Sequence, residues 1–244
     1  MLQRTEGIVL RSVKYGETSL VSTIFTRFFG TQSYLVQGVR TSKMRQNKAA
    51  LFQPASLLEL VAYQHPQKNL QRLREFQTAY IYQSLQEEVI KNSVALFSVE
   101  LLLRLLPENA PQEDLFDFCF DYFKVLDQLP VDTVANFPLY FVMELSRTLG
   151  YELNGDYSEA TPHLNLYEGG YSGHPPQMRP FVADEDAKML SELMHQRELN
   201  DLKNVKMNGV MRFRLLDWYI EFLQQHSQHL GTIKSLPVLR EILH

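Results

Sequence analysis

Cysteine is almost missing from this chain. A single residue, Cys119, among 244 excludes any internal disulfide and any zinc site built from several thiolates. Long apolar runs are missing too, and none reaches the ~18 residues that a membrane-spanning helix needs. The first twenty residues carry Arg4, Glu6, Arg11, Lys14 and Glu17, so no apolar segment of a secretory signal fits between them. A reduced, cytoplasmic setting without membrane attachment is the expectation. No Gly-x-x-x-x-Gly-Lys-Ser/Thr loop, no Gly-x-Gly-x-x-Gly after a strand and no Gly-x-Ser-x-Gly elbow occurs. Carboxylates are plentiful but show no paired-metal spacing. Nothing in the chain argues for an enzyme, and no cofactor is expected.

What is present is an uneven charge. Residues 1–80 hold 11 Lys and Arg against 4 Asp and Glu, while residues 81–244 hold 13 against 24. The net charge of −4 conceals a basic N-terminal third and an acidic remainder. Such asymmetry suggests that one part meets a polyanion. It also suits two surfaces that attract each other.

The first eighty residues read as strands. Gly7–Val13, Leu20–Phe28, Gln32–Val39, Leu57–Tyr63 and Asn69–Thr78 are short runs rich in β-branched and aromatic residues. In the last, Leu70 and Phe76 share a parity that Leu73 breaks. Gly30 suits a tight turn because it tolerates positive φ. Five short strands imply a small barrel, and strand count alone leaves an OB-fold and an SH3-like barrel both open. Between the third and fourth strands, Arg40, Lys43, Arg45 and Lys48 place four cations in nine residues with no acid. Cations of this kind neutralise phosphates, and aromatics such as Phe28, Phe29 and Tyr34 can stack bases or fill the core. Arg11, Lys14, Arg27, Arg40, Lys43, Arg45 and Lys48 are the candidate DNA contacts.

From about residue 79 the apolar period becomes helical, beginning with Tyr80, Ile81, Leu85, Val89 and Ile90. Further helices are expected over 93–106, 115–126, 133–149, 184–198, 208–228 and 236–243. Residues 150–182 interrupt them with a crowd of Gly and Pro and a short hairpin near His163–Tyr167. His163 and His174 alone supply too few donors for a metal site. Arg212 and Arg214, beside Phe213 and Trp218, combine cations with apolar surface. They are the candidate partner-binding residues.

Several segments together resemble the RecO recombination mediators. They are Glu6-Gly7-Ile8-Val9-Leu10-Arg11, Tyr15-Gly16-Glu17-Thr18, Phe25-Thr26 with Gly30, Gln37-Gly38-Val39-Arg40 with Ser42-Lys43, Leu51 with Gln53-Pro54, and His229-Leu230-Gly231 followed by Ile233-Lys234-Ser235. Their order and spacing agree from end to end. The resemblance implies an α+β protein with an N-terminal five-stranded OB-fold over 1–79 and a helical domain over 80–244. It implies binding of single- and double-stranded DNA, annealing of complementary strands and a role in DNA repair by homologous recombination. The implied partners are RecR, the C-terminal tail of single-strand DNA-binding protein and, indirectly, RecA, at the nucleoid. Many members carry a four-cysteine zinc module where this chain has residues 150–182. Without cysteines there, a metal-free counterpart packed around Leu164, Leu166, Tyr167 and Tyr171 is expected. Gln37 stands where the family often has Lys. The alternative function is a protein–protein adaptor that touches no DNA, and a third is a nuclease using paired carboxylates.

Overall fold

The computed structural model describes residues 1–39, 48–65, 67–177, 181–195 and 199–243. Five strands form in the N-terminal region: β1 (Leu2–Tyr15), β2 (Ser19–Thr26), β3 (Gly30–Val36), β4 (Leu57–Tyr63) and β5 (Leu70–Thr78). They close into a barrel in the order β1-β2-β3-β5-β4, the arrangement of an OB-fold. All pairings are antiparallel except β3 with β5, where Ser33, Tyr34 and Leu35 lie opposite Leu70, Gln71 and Arg72. The interior is filled by Val9, Ile24, Tyr34, Val36, Leu58 and Leu60, all essentially buried. Tyr34 is therefore core and not a base platform. Its hydroxyl donates to Gln32 Oε1 at 2.8 Å, and burial pushes its pKa up to about 12.

The broken parity of the fifth strand has a physical cause. Val61 pairs with Glu75 and Ala62 with Leu73, so Arg74 is an extra, bulged residue on β5. Before the bulge, Gln71 and Leu73 point inward. After it, outward positions pass from even to odd numbers, and Glu75 and Gln77 are exposed.

The chain divides into two compact units that do not follow sequence order. The first holds Met1–Gln86 and Leu105–Asp127, and the second Glu87–Arg104 and Gln128–His244. Helix α1 (Val89–Leu105) belongs almost wholly to the second unit, while helix α2 (Glu113–Gln128) belongs to the barrel's unit. The sequence reading places α2 with the other helices, because its Phe-rich stripe looks like any bundle face. The difference comes from specific contacts. Phe116 meets Phe25 of β2 edge-to-face at 5.4 Å. Gly30 has φ +65° and lies against Ala110, where a Cβ would stand 2.3 Å from the carbonyl oxygen. Only glycine lets the segment before α2 approach β3 so closely.

Residues 80–88 are not helical, although their apolar spacing suggests it. Asp127 at the end of α2 accepts backbone N–H bonds from Gln83, Ser84 and Leu85 at 2.8–3.1 Å, with the Ser84 hydroxyl adding a fourth donor. Burial alone would raise this carboxyl's pKa, but these donors outweigh it and hold the pKa below the usual carboxylate value. A segment whose N–H groups are bound by a carboxylate has no need of a helical ladder.

The second unit continues with α3 (Phe137–Thr148), α4 (Asp184–Met194), α5 (Gly209–His226) and α6 (Ser235–Ile242). Pro138 sits in the first turn of α3, where its missing N–H costs nothing. Asn208 caps α5 by accepting from the Met211 N–H at 2.8 Å. Between α3 and α4 lies a small antiparallel sheet of β6 (His163–Asn165), β7 (Gly170–Ser172) and β8 (Phe181–Ala183), with β6 central. The expected hairpin is thus extended by a third strand. Among the described residues, no helix is long and apolar enough to cross a membrane.

Glu100 of α1 anchors the C-terminal helix. Its carboxylate accepts the Lys234 and Ser235 N–H groups at 2.9 and 2.8 Å, the Ser235 hydroxyl at 2.6 Å and the Arg104 guanidinium at 2.6 Å. Burial alone would raise the pKa of this carboxyl, but the four donors outweigh it and pull it down to about 2. A depressed carboxyl pKa stabilises the fold above the unfolded-state value of ~4.3, and that stabilisation fades as pH falls toward 2. Glu100→Gln is expected to lower stability by about 1–2 kcal/mol at neutral pH. The deficit should shrink between about pH 4.5 and pH 2 in urea titrations, and a pH-independent deficit would contradict the role given to the charge.

Candidate nucleic-acid interface

The barrel's outer face carries its functional side chains in cross-strand rows. Successive pairings put Val13, Val21, Leu35, Arg72 and Tyr63 in one row across all five strands. Arg11, Thr23, Ser33 and Leu70 form the neighbouring row. Val13, Leu70 and Tyr63 are 42%, 40% and 39% exposed, so this face mixes apolar surface with Arg11 and Arg72. From β1 to β5 the rows span about 14 Å, three strand spacings.

At the β5 end the face deepens into a groove of about 610 Å³. Its cations are Lys68, Arg72 and Arg74, all exposed, and His65 lies on its wall. Tyr63, Leu70 and Phe76 supply apolar surface. The Lys48 ammonium lies 6.0 Å from the centre of the Phe76 ring. Val36 and the exposed Gln37 line the opposite side. Cations beside accessible aromatic and aliphatic faces can hold phosphates and stack bases in the same track.

The expected DNA contacts meet different fates. Arg11 and Lys14 are exposed on β1, and Lys48 stands beside the groove. Arg40, Lys43 and Arg45 lie outside the described residues. Arg27 departs from expectation: it is half-buried, with Asp117 at 2.8 Å, Glu6 at 3.6 Å and Glu113 at 3.8 Å. Its charge is offset inside the fold, so we remove it from the DNA set. Phe28 is 48% exposed and Phe29 half-buried, but neither lines this groove. Sequence reading missed Lys68, Arg72 and Arg74, because they are scattered through a strand that looked weak. The signal available was the lone acid, Glu75, among these three cations.

The partner-binding set on α5 also needs correction. Arg212 is 9% exposed; its Nε donates to Asn136 Oδ1 at 2.9 Å and its Nη2 to the Met207 carbonyl at 2.8 Å. Burial lowers its pKa, as it does for a cation taken from water. Phe213 is 8% exposed. Both belong to the interior. Arg214 and Trp218 reach the surface, with the guanidinium 5.8 Å from the indole centre and held by Asp186 at 2.5 Å.

The stretch 150–182 offers no four-thiolate donor set. Cys119 is buried in α2, where desolvation raises its pKa, and no group of three or more His, Cys, Asp or Glu is placed for a metal among the described residues. Zinc therefore does not fit the residues present. Buried Leu164, Leu166 and Val182 pack the small sheet. The Tyr171 hydroxyl donates to the Ala187 carbonyl at 2.8 Å, and the Tyr157 N–H to Ser191 Oγ at 3.1 Å, tying the stretch to α4. Tyr167, expected in this core, is 56% exposed.

An OB-type barrel joined to a second, helical unit defines the class of protein. Comparison with known proteins makes the assignment specific. The family model described as Recombination protein O N terminal matches residues 1–82, and Recombination protein O C terminal matches residues 86–237. The chain is 32% identical over 243 residues to the DNA repair protein RecO of Bacteroides fragilis, covering 99% of each chain. It is 29% identical over 242 residues to that of Christiangramia forsetii, covering 99% of each, and 32% identical over 250 residues to that of Salinibacter ruber, covering 98% of this chain and 94% of the relative. The chain belongs to the RecO family of DNA repair proteins.

The burial of Arg212 has a measurable consequence. Arg212→Ala is expected to cost about 2–3 kcal/mol by leaving Asn136 and the Met207 carbonyl without a donor. Arg214→Ala is expected to cost under about 1 kcal/mol, as an exposed ion pair does. Equal losses in chemical denaturation would contradict the interior placement.

Proposed function

We propose that this protein is a non-catalytic recombination mediator. It binds single- and double-stranded DNA, anneals complementary strands and helps load RecA onto strands coated with single-strand-binding protein. The observation that carries the reading is the groove at β5, where Lys68, Arg72 and Arg74 stand beside Tyr63 and Phe76. Arg11, Lys14 and Lys48 extend the contact set. Arg40, Lys43 and Arg45 join it through the chain, since they follow the groove-lining Gln37 and precede Lys48. Bound cations reduce the repulsion between two strands, so pairing is faster when both are held. RecR and the acidic tail of single-strand DNA-binding protein are the proposed protein partners, with Arg214 and Trp218 as the surface left on α5 for the tail.

The decisive experiment is annealing of complementary oligonucleotides coated with the cognate single-strand-binding protein, without ATP and with chelator. Acceleration that fades at high salt supports the mediator. Its absence, together with no DNA binding at low salt, supports an adaptor, and magnesium-dependent cleavage supports a nuclease.

Six contacts from Arg11, Lys14, Lys48, Lys68, Arg72 and Arg74 correspond to a salt slope of roughly −4 on single strands. Arg72→Glu with Arg74→Glu is expected to weaken oligonucleotide binding at least tenfold and to bring the slope to roughly −3. A triple reversal at Arg40, Lys43 and Arg45 reads the connecting segment in the same titration. Unchanged binding in both variants would move the interface elsewhere.

A further inference from the structure

The barrel carries a second cleft, of about 580 Å³, with the opposite charge. It is lined by Arg4 and Glu6 of β1, Phe28 after β2, Glu59 and Val61 of β4, and Glu75 to Gln77 of β5. Two adjacent cross-strand rows build it. Glu6 lies opposite Glu59, and Glu59 opposite Gln77. Arg4 lies opposite Val61, and Val61 opposite Glu75. Three carboxylates thus line the cleft with one guanidinium, Arg4; Arg27 reaches Glu6 at 3.6 Å and Arg74 reaches Glu75 at 3.2 Å, so Glu59 is the acid left without an ion pair among the described residues.

Glu6 and Glu59 are like charges directly across an antiparallel pair, which costs stability unless a cation offsets it, and Arg27 offsets Glu6 only. Glu59 receives only the Gln77 amide, at 2.6 Å. Phe28 stands at the cleft 48% exposed, with its N–H reaching Thr5 Oγ1 at 3.4 Å. The protein's own Arg27 shows what this chemistry holds. Its guanidinium lies 5.8 Å from the centre of the Phe28 ring and 3.6 Å from Glu6.

We propose that this cleft is a docking site for a protein partner that presents a basic, extended segment with apolar side chains between its cations. A partner Arg or Lys would meet Glu59, and apolar neighbours would cover Val61 and the exposed part of Phe28. The volume has room for a few side chains, not for a folded element. Phosphates are repelled here, so nucleic acid is excluded, and no three-ligand metal group is present among the described residues. A second copy of this chain would have to bring its own basic groove to the cleft. That contact is head-to-tail, building rings or open chains, and sets one concave surface against another, so a different protein is the occupant. The inference does not rest on the DNA reading, because its charge is opposite to that of the groove, with which the cleft shares only Phe76.

The test uses the full chain and a fluorescein-labelled peptide alternating Arg with Leu, its Glu–Leu counterpart, and an oligothymidylate. The Arg–Leu peptide should bind and the Glu–Leu peptide should not. Glu59→Gln should weaken peptide binding about threefold or more, and Phe28→Ala by a similar factor. Oligothymidylate affinity should stay within about twofold in these variants. Phe28→Ala removes an exposed ring, so it keeps the test valid should the charge variant fold poorly. No binding of the Arg–Leu peptide, equal binding of both peptides, or unchanged affinity in the variants overturns the proposal. So does a concentration-dependent self-association of the wild type that the variants lose.

Discussion

The barrel depends on where strand β5 changes sides. It pairs with β4 over most of its length, but closes the barrel against β3 through only three residue pairs. Those three pairs hold only if Gln71 and Leu73 point inward at the N-terminal end of β5. At the other end, the pairs with β4 put Glu75 and Gln77 outward. Both demands cannot be met by a regular strand, whose side chains alternate without exception. The extra residue Arg74 reconciles them. The bulge also sorts charge: Lys68 and Arg72 lie on its N-terminal side, Arg74 at it and Glu75 beyond it.

A second theme is the use of carboxylates in place of regular backbone pairing. Asp127 binds the N–H groups of Gln83, Ser84 and Leu85, and Glu100 those of Lys234 and Ser235. Each carboxylate fixes a piece of chain far away in sequence that local propensity would leave undetermined. An ionised acceptor makes hydrogen bonds roughly twice as strong as a neutral one. Removing either side chain would orphan several donors at once, which is costlier than losing a single contact. In the small sheet before α4, tyrosine and serine hydroxyls do similar work. Tyr171 donates from this stretch to the Ala187 carbonyl of α4, and Ser191 of α4 accepts the Tyr157 N–H, in a stretch that has no thiolates to organise it.

These devices mark the limit of what the sequence alone discloses. Strands β1 to β4 were legible because β-branched and aromatic runs alternate between turn residues, and α3 to α6 because their stripes recur at helical spacing. The parity change in β5 was visible as the awkward Leu73, but a bulge leaves no composition of its own. The helical reading of 80–88 failed because apolar spacing is blind to a carboxylate 40 residues away. Arg212 and Arg27 failed for a related reason. A basic residue reads as surface, yet Asn136 and the Met207 carbonyl satisfy one inside the fold, and three carboxylates surround the other. The cations of β5 were overlooked because clustering in sequence, as at Arg40–Lys48, is easier to see than clustering across strands.

Two faces of opposite charge on one small barrel would cancel if they lay within each other's field. From Arg72 to Gln77 the strand advances about 17 Å at ~3.4 Å per residue. Screening at physiological ionic strength decays over about 8 Å. The two ends of β5 therefore set separate local potentials. At the boundary the Arg74 guanidinium lies 3.2 Å from the Glu75 carboxylate, so the two charges nearest the border neutralise each other and sharpen the division. A polyanion drawn to the basic end meets repulsion before it reaches the acidic cleft. A cationic segment seated on Glu59 and Phe28 does not have to displace it. On the two proposals, one closed barrel would hold a nucleic acid and a basic protein segment together, with the residue inserted on β5 at the border between them.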